Sequence, residues 1–101
     1  MSAEAKDAVE ASIKDRLFDG DSARWRWPER IEGQDFYCGF VNAKNSYGAY
    51  TGFKPFMVML VQGTKGWFSA FVGVGDTENA EIAVRDQCAA RGFPLVIIPP
   101  E

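Results

Sequence analysis

The sequence predicts an α+β fold in which an antiparallel β-meander of about four strands carries an N-terminal and a C-terminal helix packed on one face. Three observations predict it. Apolar residues recur at helical spacing near both ends of the chain. Short apolar or alternating stretches, separated by glycine-containing turns, fill the middle. A length of 101 residues leaves room for one core, so residues 1–101 are predicted to be a single domain.

The first helix is predicted from an apolar stripe with a four-residue repeat, and charged residues occupy the other positions. Ser2 precedes the stripe as an N-cap, because its hydroxyl can accept a hydrogen bond from the first helical turn. Asp19 and Gly20 are expected to end the helix. The stripe consists of Ala5, Val9, Ile13 and Leu17.

Four stretches between the helices have the patterns of strands. Residues 22–27 alternate arginine with tryptophan, and Pro28 ends that strand, so we expect the tryptophans to pack inward and the arginines to face solvent. Residues 36–43, 56–61 and 67–74 are apolar and bounded by turn residues. Their close succession favours hairpin connections and hence an antiparallel sheet.

The last helix is predicted to begin after Asp76 or Thr77 and to reach about residue 91, where Gly92 and Pro94 end it. Residues 95–98 form a short apolar run, interpreted as a last edge strand or as a tail on the core. The predicted inner stripe of this helix is Ala80, Ala83, Val84, Gln87 and Cys88.

The charges are unevenly distributed along the chain. The formal net charge is −3, so neither nucleic acid nor an anionic membrane surface is an expected partner. Residues 1–21 hold six acids and three bases, whereas residues 36–75 hold no acid and three lysines. Either the helices carry the charges while the sheet is buried, or the loops of the sheet form a mildly basic face for an acidic partner.

No stretch approaches the ~18 apolar residues of a membrane span, so direct membrane insertion is not expected. Residues 1–6 have no apolar segment of the kind found in a signal peptide. Two interpretations remain open: a cytosolic protein, or the mature form of a protein whose leader has been removed.

Enzyme activity is not expected from the residues present. The chain has no histidine, which is the commonest general base and metal ligand, so neither a catalytic residue nor a metal site nor a cofactor is predicted. Lys44 and Ser46 are close enough in sequence to act as a nucleophile pair, but nothing nearby predicts an oxyanion hole. The acids of the first helix are interpreted as a solvated face.

The loop at residues 44–54, here called the tyrosine loop, is the predicted partner-binding segment, and Asn42 lies two residues before it. Its asparagines and glycines suit tight turns with positive φ. Tyrosine is enriched at interfaces, so Tyr47 and Tyr50 beside two lysines indicate a recognition loop. The alternative is that both tyrosines fold back over the sheet edge. The predicted contact residues are Asn42, Lys44, Asn45, Tyr47, Tyr50 and Lys54.

The segment CGFVNAKNSYGAYTGFKPF at residues 38–56 resembles the signature CGxVNAKNSYGGYTGFKPF of short, largely uncharacterised bacterial proteins, many of them exported or lipoprotein-like. That group also has an upstream (K/R)DPxSAxF element. Residues 14–25 read KDRLFDGDSARW, with Gly20 where proline is usual and Trp25 where phenylalanine is usual. The resemblance spans residues 13–60. It implies a periplasmic or cell-envelope location but no activity.

Cys38 and Cys88 lie on apolar surfaces of a predicted strand and a predicted helix, and they have neither zinc-ligand nor CxxC spacing. They are interpreted as a structural disulfide between the two layers or as two buried free thiols. The exported members of the family that the chain resembles favour the disulfide.

These observations lead to a non-enzymatic binding or inhibitory module. The favoured hypothesis is an exported bacterial protein, periplasmic or lipid-tethered in its full form, that binds a protein partner through the tyrosine loop. The alternative is a cytosolic accessory protein of phage or mobile-element origin that inhibits a host protein complex. The oligomeric state and the identity of the partner stay open.

Overall fold

The computed structural model describes residues 1–93, and the predicted apolar run at residues 95–98 lies outside them. The predicted α+β fold is confirmed: an antiparallel four-stranded meander has one helix before it and one after it. In chain order the elements are α1 (Ala3–Lys14), a 3-10 turn (Gly20–Ser22), β1 (Arg24–Arg26), β2 (Phe36–Asn42), β3 (Lys54–Gly63), β4 (Gly66–Val74) and α2 (Glu78–Ala90).

The four strands lie side by side in sequence order, and each pairs antiparallel with the next. β1 is short and covers only the end of β2, from Phe40 to Asn42. The β3 and β4 pairing shifts register between Met57 and Val58, where β4 contributes Val72 as an extra residue. β1 therefore pairs with three residues of β2 and, in the described part of the chain, leaves residues 36–39 without a strand partner on that side.

Helix α1 covers one face of the sheet, called here the α1 face. The Ser12 hydroxyl of α1 hydrogen-bonds the Ser69 hydroxyl of β4 at 2.9 Å. Ser69 stands opposite Leu60 of β3, and directly opposed residues share a face. Leu60 is fully buried, which places the apolar side of α1 over this end of the sheet.

Helix α2 covers the other face, called the α2 face, and this corrects the expectation that both helices pack on one face. Cys88 of α2 forms a disulfide with Cys38 of β2, which stands opposite Met57 of β3. Met57 and Leu60 are separated by an odd number of positions in a regular strand, so they face opposite sides. The physical reason is that residues 55–58 of β3 are all buried, and a strand that is apolar on both sides needs a layer on each face.

The ends and inner stripes of the helices differ in part from the prediction. The Ser2 hydroxyl does accept from the Ala5 N–H at 3.2 Å, which confirms the N-cap. Helix α1 ends at Lys14 rather than near Gly20, because tight turns follow it. In α2 only Val84 and Cys88 are buried, so the predicted stripe was too wide. Ala83 and Gln87, which were predicted to face inward, are exposed.

An aromatic cluster fills the α1 face next to β1. Trp25 and Trp27 stack with ring centroids 5.3 Å apart, and each makes an edge-to-face contact with the Phe56 ring of β3. Gly39 of β2 lies under the Phe56 ring, where a Cβ would come within 2.7 Å of it. The flanking arginines of β1 are exposed. The structural role predicted for the two tryptophans is therefore confirmed.

Candidate functional site

A tight turn presents Tyr47 at the tip of the tyrosine loop. The Asn45 side-chain oxygen accepts hydrogen bonds from the N–H groups of Tyr47 at 2.9 Å and Ala49 at 3.2 Å. Gly48 adopts a φ of 77° and donates to the Asn45 carbonyl, a conformation that favours glycine. The Tyr47 side chain is 91% exposed. The asparagine and glycine thus fix the backbone of the turn, and the tyrosine side chain stands free in solvent.

The base of the loop is closed by Asn42, which has no exposed surface. Its side-chain oxygen accepts from the Gly52 N–H at 3.2 Å. Lys44 and Tyr50 then face each other in an isolated antiparallel bridge. A fully buried side chain does not touch a partner, so Asn42 holds the loop in shape and is not one of its contact residues.

Tyr50 is packed against the chain rather than presented to solvent. The Arg24 guanidinium lies 3.9 Å from the centroid of its ring, and its hydroxyl donates to the Ser22 carbonyl at 2.7 Å. The Lys44 N–H donates to the Ser22 hydroxyl at 3.0 Å. Of the two interpretations, folding back over the sheet edge therefore describes Tyr50, whereas the Tyr47 side chain is open to solvent.

A cleft of about 260 Å³ lies on the α1 face beside the loop. One wall is the turn after α1, where Phe18 is 75% exposed. The opposite wall is the tyrosine loop and the ends of β2 and β3, where Lys54 lies. The Arg16 guanidinium also lines the cleft and lies 4.6 Å from the Phe71 ring centroid. The lining residues are Arg16, Leu17, Phe18, Val41, Ala43, Asn45, Thr51, Gly52, Lys54, Val74 and Asp76.

Sequence reasoning missed the α1 wall of this cleft. Arg16 and Phe18 were assigned to the first helix, whereas the helix ends at Lys14 and both belong to the turn after it. One signal was present in the sequence: Phe18 is a large apolar residue that falls off the helical stripe. Two of the predicted contact residues, Asn45 and Lys54, do line the cleft.

The cations around the loop are not neutralised by carboxylates in the described part of the chain. Within residues 1–93 the ion pairs are Lys14 with Asp21 at 3.8 Å and Arg85 with Glu81 at 3.1 Å. Neither pair includes a lysine of the tyrosine loop or an arginine of β1. The lysines of the tyrosine loop and the arginines of β1 therefore form no ion pair within residues 1–93, although Asp76 lines the cleft together with Lys54.

The disulfide between Cys38 and Cys88 anchors the strand from which the loop emerges. The two Cα atoms are 6.1 Å apart and the bond closes a sequence separation of 50 residues. Both cysteines are fully buried. Of the two interpretations of these residues, the structure has the disulfide, which ties α2 to β2 on the side of the sheet opposite the cleft.

Tyr37 is a buried phenol whose surroundings are structural. Burial raises the pKa of its phenol well above its usual range. The hydroxyl donates to the Pro28 carbonyl, and the ring contacts Trp27, Phe56 and Phe93. Tyr37 lies at the β2 end remote from the tyrosine loop, so we assign it to the core and not to the site.

Neither helix of residues 1–93 is long and apolar enough to cross a membrane. Within the same residues, no group of three or more histidine, cysteine, aspartate or glutamate side chains is placed to hold a metal ion.

Comparison of the chain with protein-family models, with curated proteins and with solved structures found no match. The resemblance in residues 13–60 therefore stays a prediction, and the functional proposal depends on the geometry of the tyrosine loop and its surroundings.

Proposed function

We propose that the protein is a non-enzymatic binding or inhibitory module that engages a protein partner through the tyrosine loop. The observation that carries the proposal is Tyr47: its side chain is 91% exposed on a turn whose backbone is held by the Asn45 side chain. A large aromatic ring on a fixed backbone loses little conformational entropy on binding, which is a property of interface hot spots.

The surroundings of Tyr47 support a protein partner. Phe18 is a second exposed aromatic on the far wall of the neighbouring cleft, and Lys54 and Arg16 provide cations along it. Protein interfaces are enriched in aromatic residues and arginine at their centres. The cleft beside this aromatic tip is lined by both polar and apolar residues. It suits a partner that inserts one side chain into the cleft while packing against the loop.

An exported location is part of the proposal. The buried disulfide is compatible with an oxidising compartment, where such bonds persist. The resemblance of residues 38–56 to exported or lipoprotein-like proteins points in the same direction. We therefore propose a periplasmic or cell-envelope protein. In the alternative, a cytosolic inhibitor of a host complex, the same loop would be the binding surface.

Affinity capture with matched aromatic variants tests the proposal. The wild type and Tyr47→Ala are compared with Phe68→Ala, which removes an aromatic that is 57% exposed on β4. The melting temperature of each bait protein is measured to show that it is folded, and all three baits are used at equal folded concentration. We expect the wild type and Phe68→Ala to capture the same protein from periplasmic or cytosolic extract, and Tyr47→Ala to lose it. Equal capture by all three baits contradicts the proposal, and the extract that yields the partner distinguishes the two locations.

A further inference from the structure

Three cationic side chains lie against aromatic rings where β1 meets the tyrosine loop. The Arg24 guanidinium is 3.9 Å from the Tyr50 ring centroid, and the Arg26 guanidinium is 4.6 Å from that of Phe53. The Lys44 ammonium is 5.9 Å from the Tyr50 centroid. These five residues are called here the cationic surface.

The strand register places the three cations on one side of the sheet. Arg24 pairs with Asn42 and Arg26 with Phe40, so each shares the face of its partner. Phe40, Asn42 and Lys44 are alternate positions along the chain, as is Cys38, whose disulfide marks the α2 face. The cationic surface therefore belongs to the α2 face, whereas the cleft lies on the α1 face.

The cationic surface is open and lacks a carboxylate partner in the described part of the chain. Arg24 and Arg26 are both exposed. Asp21, the acid nearest to β1 before it, contacts Lys14 instead. Residues 36–75 contain no acid at all. Arg26 Nη1 donates to the Trp25 carbonyl at 3.0 Å, which leaves its other N–H groups for an anion. A guanidinium held against a ring is already ordered, so less entropy is lost when it meets an anion.

We propose that the cationic surface binds an acidic segment of the protein partner, with carboxylates meeting the N–H edges of Arg24 and Arg26. The inference rests on the proposed function and names the chemistry of its partner. Planar guanidinium groups match carboxylates with paired hydrogen bonds. Arg24 and Arg26 flank Trp25, so their side chains lie on the same face of the strand. Lys44 adds a third positive charge beside Arg24.

Nucleic acid is a poorer fit to the same surface. Proteins that bind single strands offer aromatic rings on which bases stack. Here the Tyr50 ring is covered by Arg24, and Phe53 is only 2% exposed, so neither ring is free to stack a base.

Titration of the folded chain with an oligoglutamate peptide tests this inference. We expect heteronuclear NMR shifts at the Nε–H groups of Arg24 and Arg26 and at Lys44. Arg24→Gln and Arg26→Gln should each weaken the affinity roughly three- to tenfold, and Arg→Lys at the same positions should weaken it less. Lys65→Gln is the matched control, because it removes an exposed charge at the β3 and β4 turn and should leave the affinity unchanged. Added salt should weaken binding to the wild type more than to the double Arg→Gln variant.

Three results would overturn the inference: no binding of the peptide, an equal loss of affinity in Lys65→Gln, or tighter binding of a single-stranded oligonucleotide of the same charge. If an arginine variant lowers the melting temperature, Lys44→Gln carries the test, because its side chain makes no hydrogen bond or ion pair within residues 1–93. Tyr47→Ala should keep the peptide affinity. A failure here is thus distinguishable from a failure of the capture experiment on the loop tip.

Discussion

Tyr47 and Tyr50 are close in sequence, but their surroundings give them different roles. Tyr50 donates its hydroxyl to the Ser22 carbonyl and lies under Arg24, so it connects the loop to β1. Tyr47 is 91% exposed and contributes little to the folded state. Stability and binding are therefore expected to separate between two residues of the same type.

Removing the hydroxyl of each tyrosine checks this separation. Tyr50→Phe should lower the free energy of unfolding by about 1 kcal/mol, because one hydrogen bond is lost and the Ser22 carbonyl loses its donor. Tyr47→Phe should stay within about 0.5 kcal/mol of the wild type, as is usual for exposed positions. Urea unfolding at neutral pH measures both. Equal effects of the two substitutions would mean that Tyr50 is not held as described.

Tyr37 predicts how the free energy of unfolding depends on alkaline pH. Burial raises the pKa of its phenol above the unfolded value of about 10, so the folded chain keeps a proton that the unfolded chain releases. The unfolded state then binds fewer protons, and stability falls as pH rises above about 10, while below that pH the contribution is fully present. Tyr37→Phe removes this titration and should show a shallower alkaline decline in urea unfolding. Parallel curves for the two proteins would contradict the assignment.

At the scale of elements, the disulfide is the strongest single constraint on the layers. It joins α2 to β2 across a sequence separation of 50 residues, for which the chain-entropy treatment gives about 4 kcal/mol of stabilisation. The net free energy of unfolding of a small domain is only about 5–15 kcal/mol, so this contribution is a large share of it. The tyrosine loop starts at the end of β2, so the same bond anchors the strand beneath the site.

Reduction should therefore destabilise the protein strongly. We expect the free energy of unfolding to fall by about 4 kcal/mol when the bond between Cys38 and Cys88 is reduced, and urea unfolding with and without reductant measures the change. Alkylation of unfolded, unreduced protein followed by intact-mass measurement is the control. Two alkylated thiols in the unreduced sample would show that the bond is absent and would remove the support that it gives to export.

Local patterns predicted the elements well and their arrangement only in part. The cap at Ser2 and the meander follow from short-range chemistry that a sequence displays directly. The side on which each helix packs depends on contacts between distant residues, and the only local indication was that residues 55–58 are apolar in both alternating positions. The expectation of one covered face treated that strand as one-sided.

The sequence predicted which segment holds the candidate site, but not which of its side chains are exposed or which other residues lie beside it. Glycine, asparagine and tyrosine composition pointed to the loop, yet it could not separate Tyr47 from the packed Tyr50 or the buried Asn42. The cleft also includes Arg16 and Phe18, whose approach to the loop depends on where α1 ends. Helix ends are among the least certain features of a sequence pattern, because capping and tight turns compete there.

At the scale of the whole molecule, the two sides of the sheet have different surfaces next to one loop. The α1 face offers a cleft with an exposed Phe18, the α2 face offers the cationic surface, and Tyr47 stands at the tip. A partner that contacts Tyr47 could extend onto the cleft, onto the cationic surface, or around the loop onto both. The disulfide and the central strand β3 keep these surfaces in fixed relation.

The most direct test of the central claim is photocrosslinking from the loop tip in bacterial cells that produce the chain. A benzophenone amino acid replaces Tyr47 in one variant and Phe68 in a control variant, since both side chains are well exposed. The account predicts that the variant at position 47 forms one covalent adduct of discrete mass with a protein and that the variant at position 68 does not form it. Absence of an adduct from position 47, or the same adduct from both positions, would contradict the claim that the tyrosine loop is the binding surface.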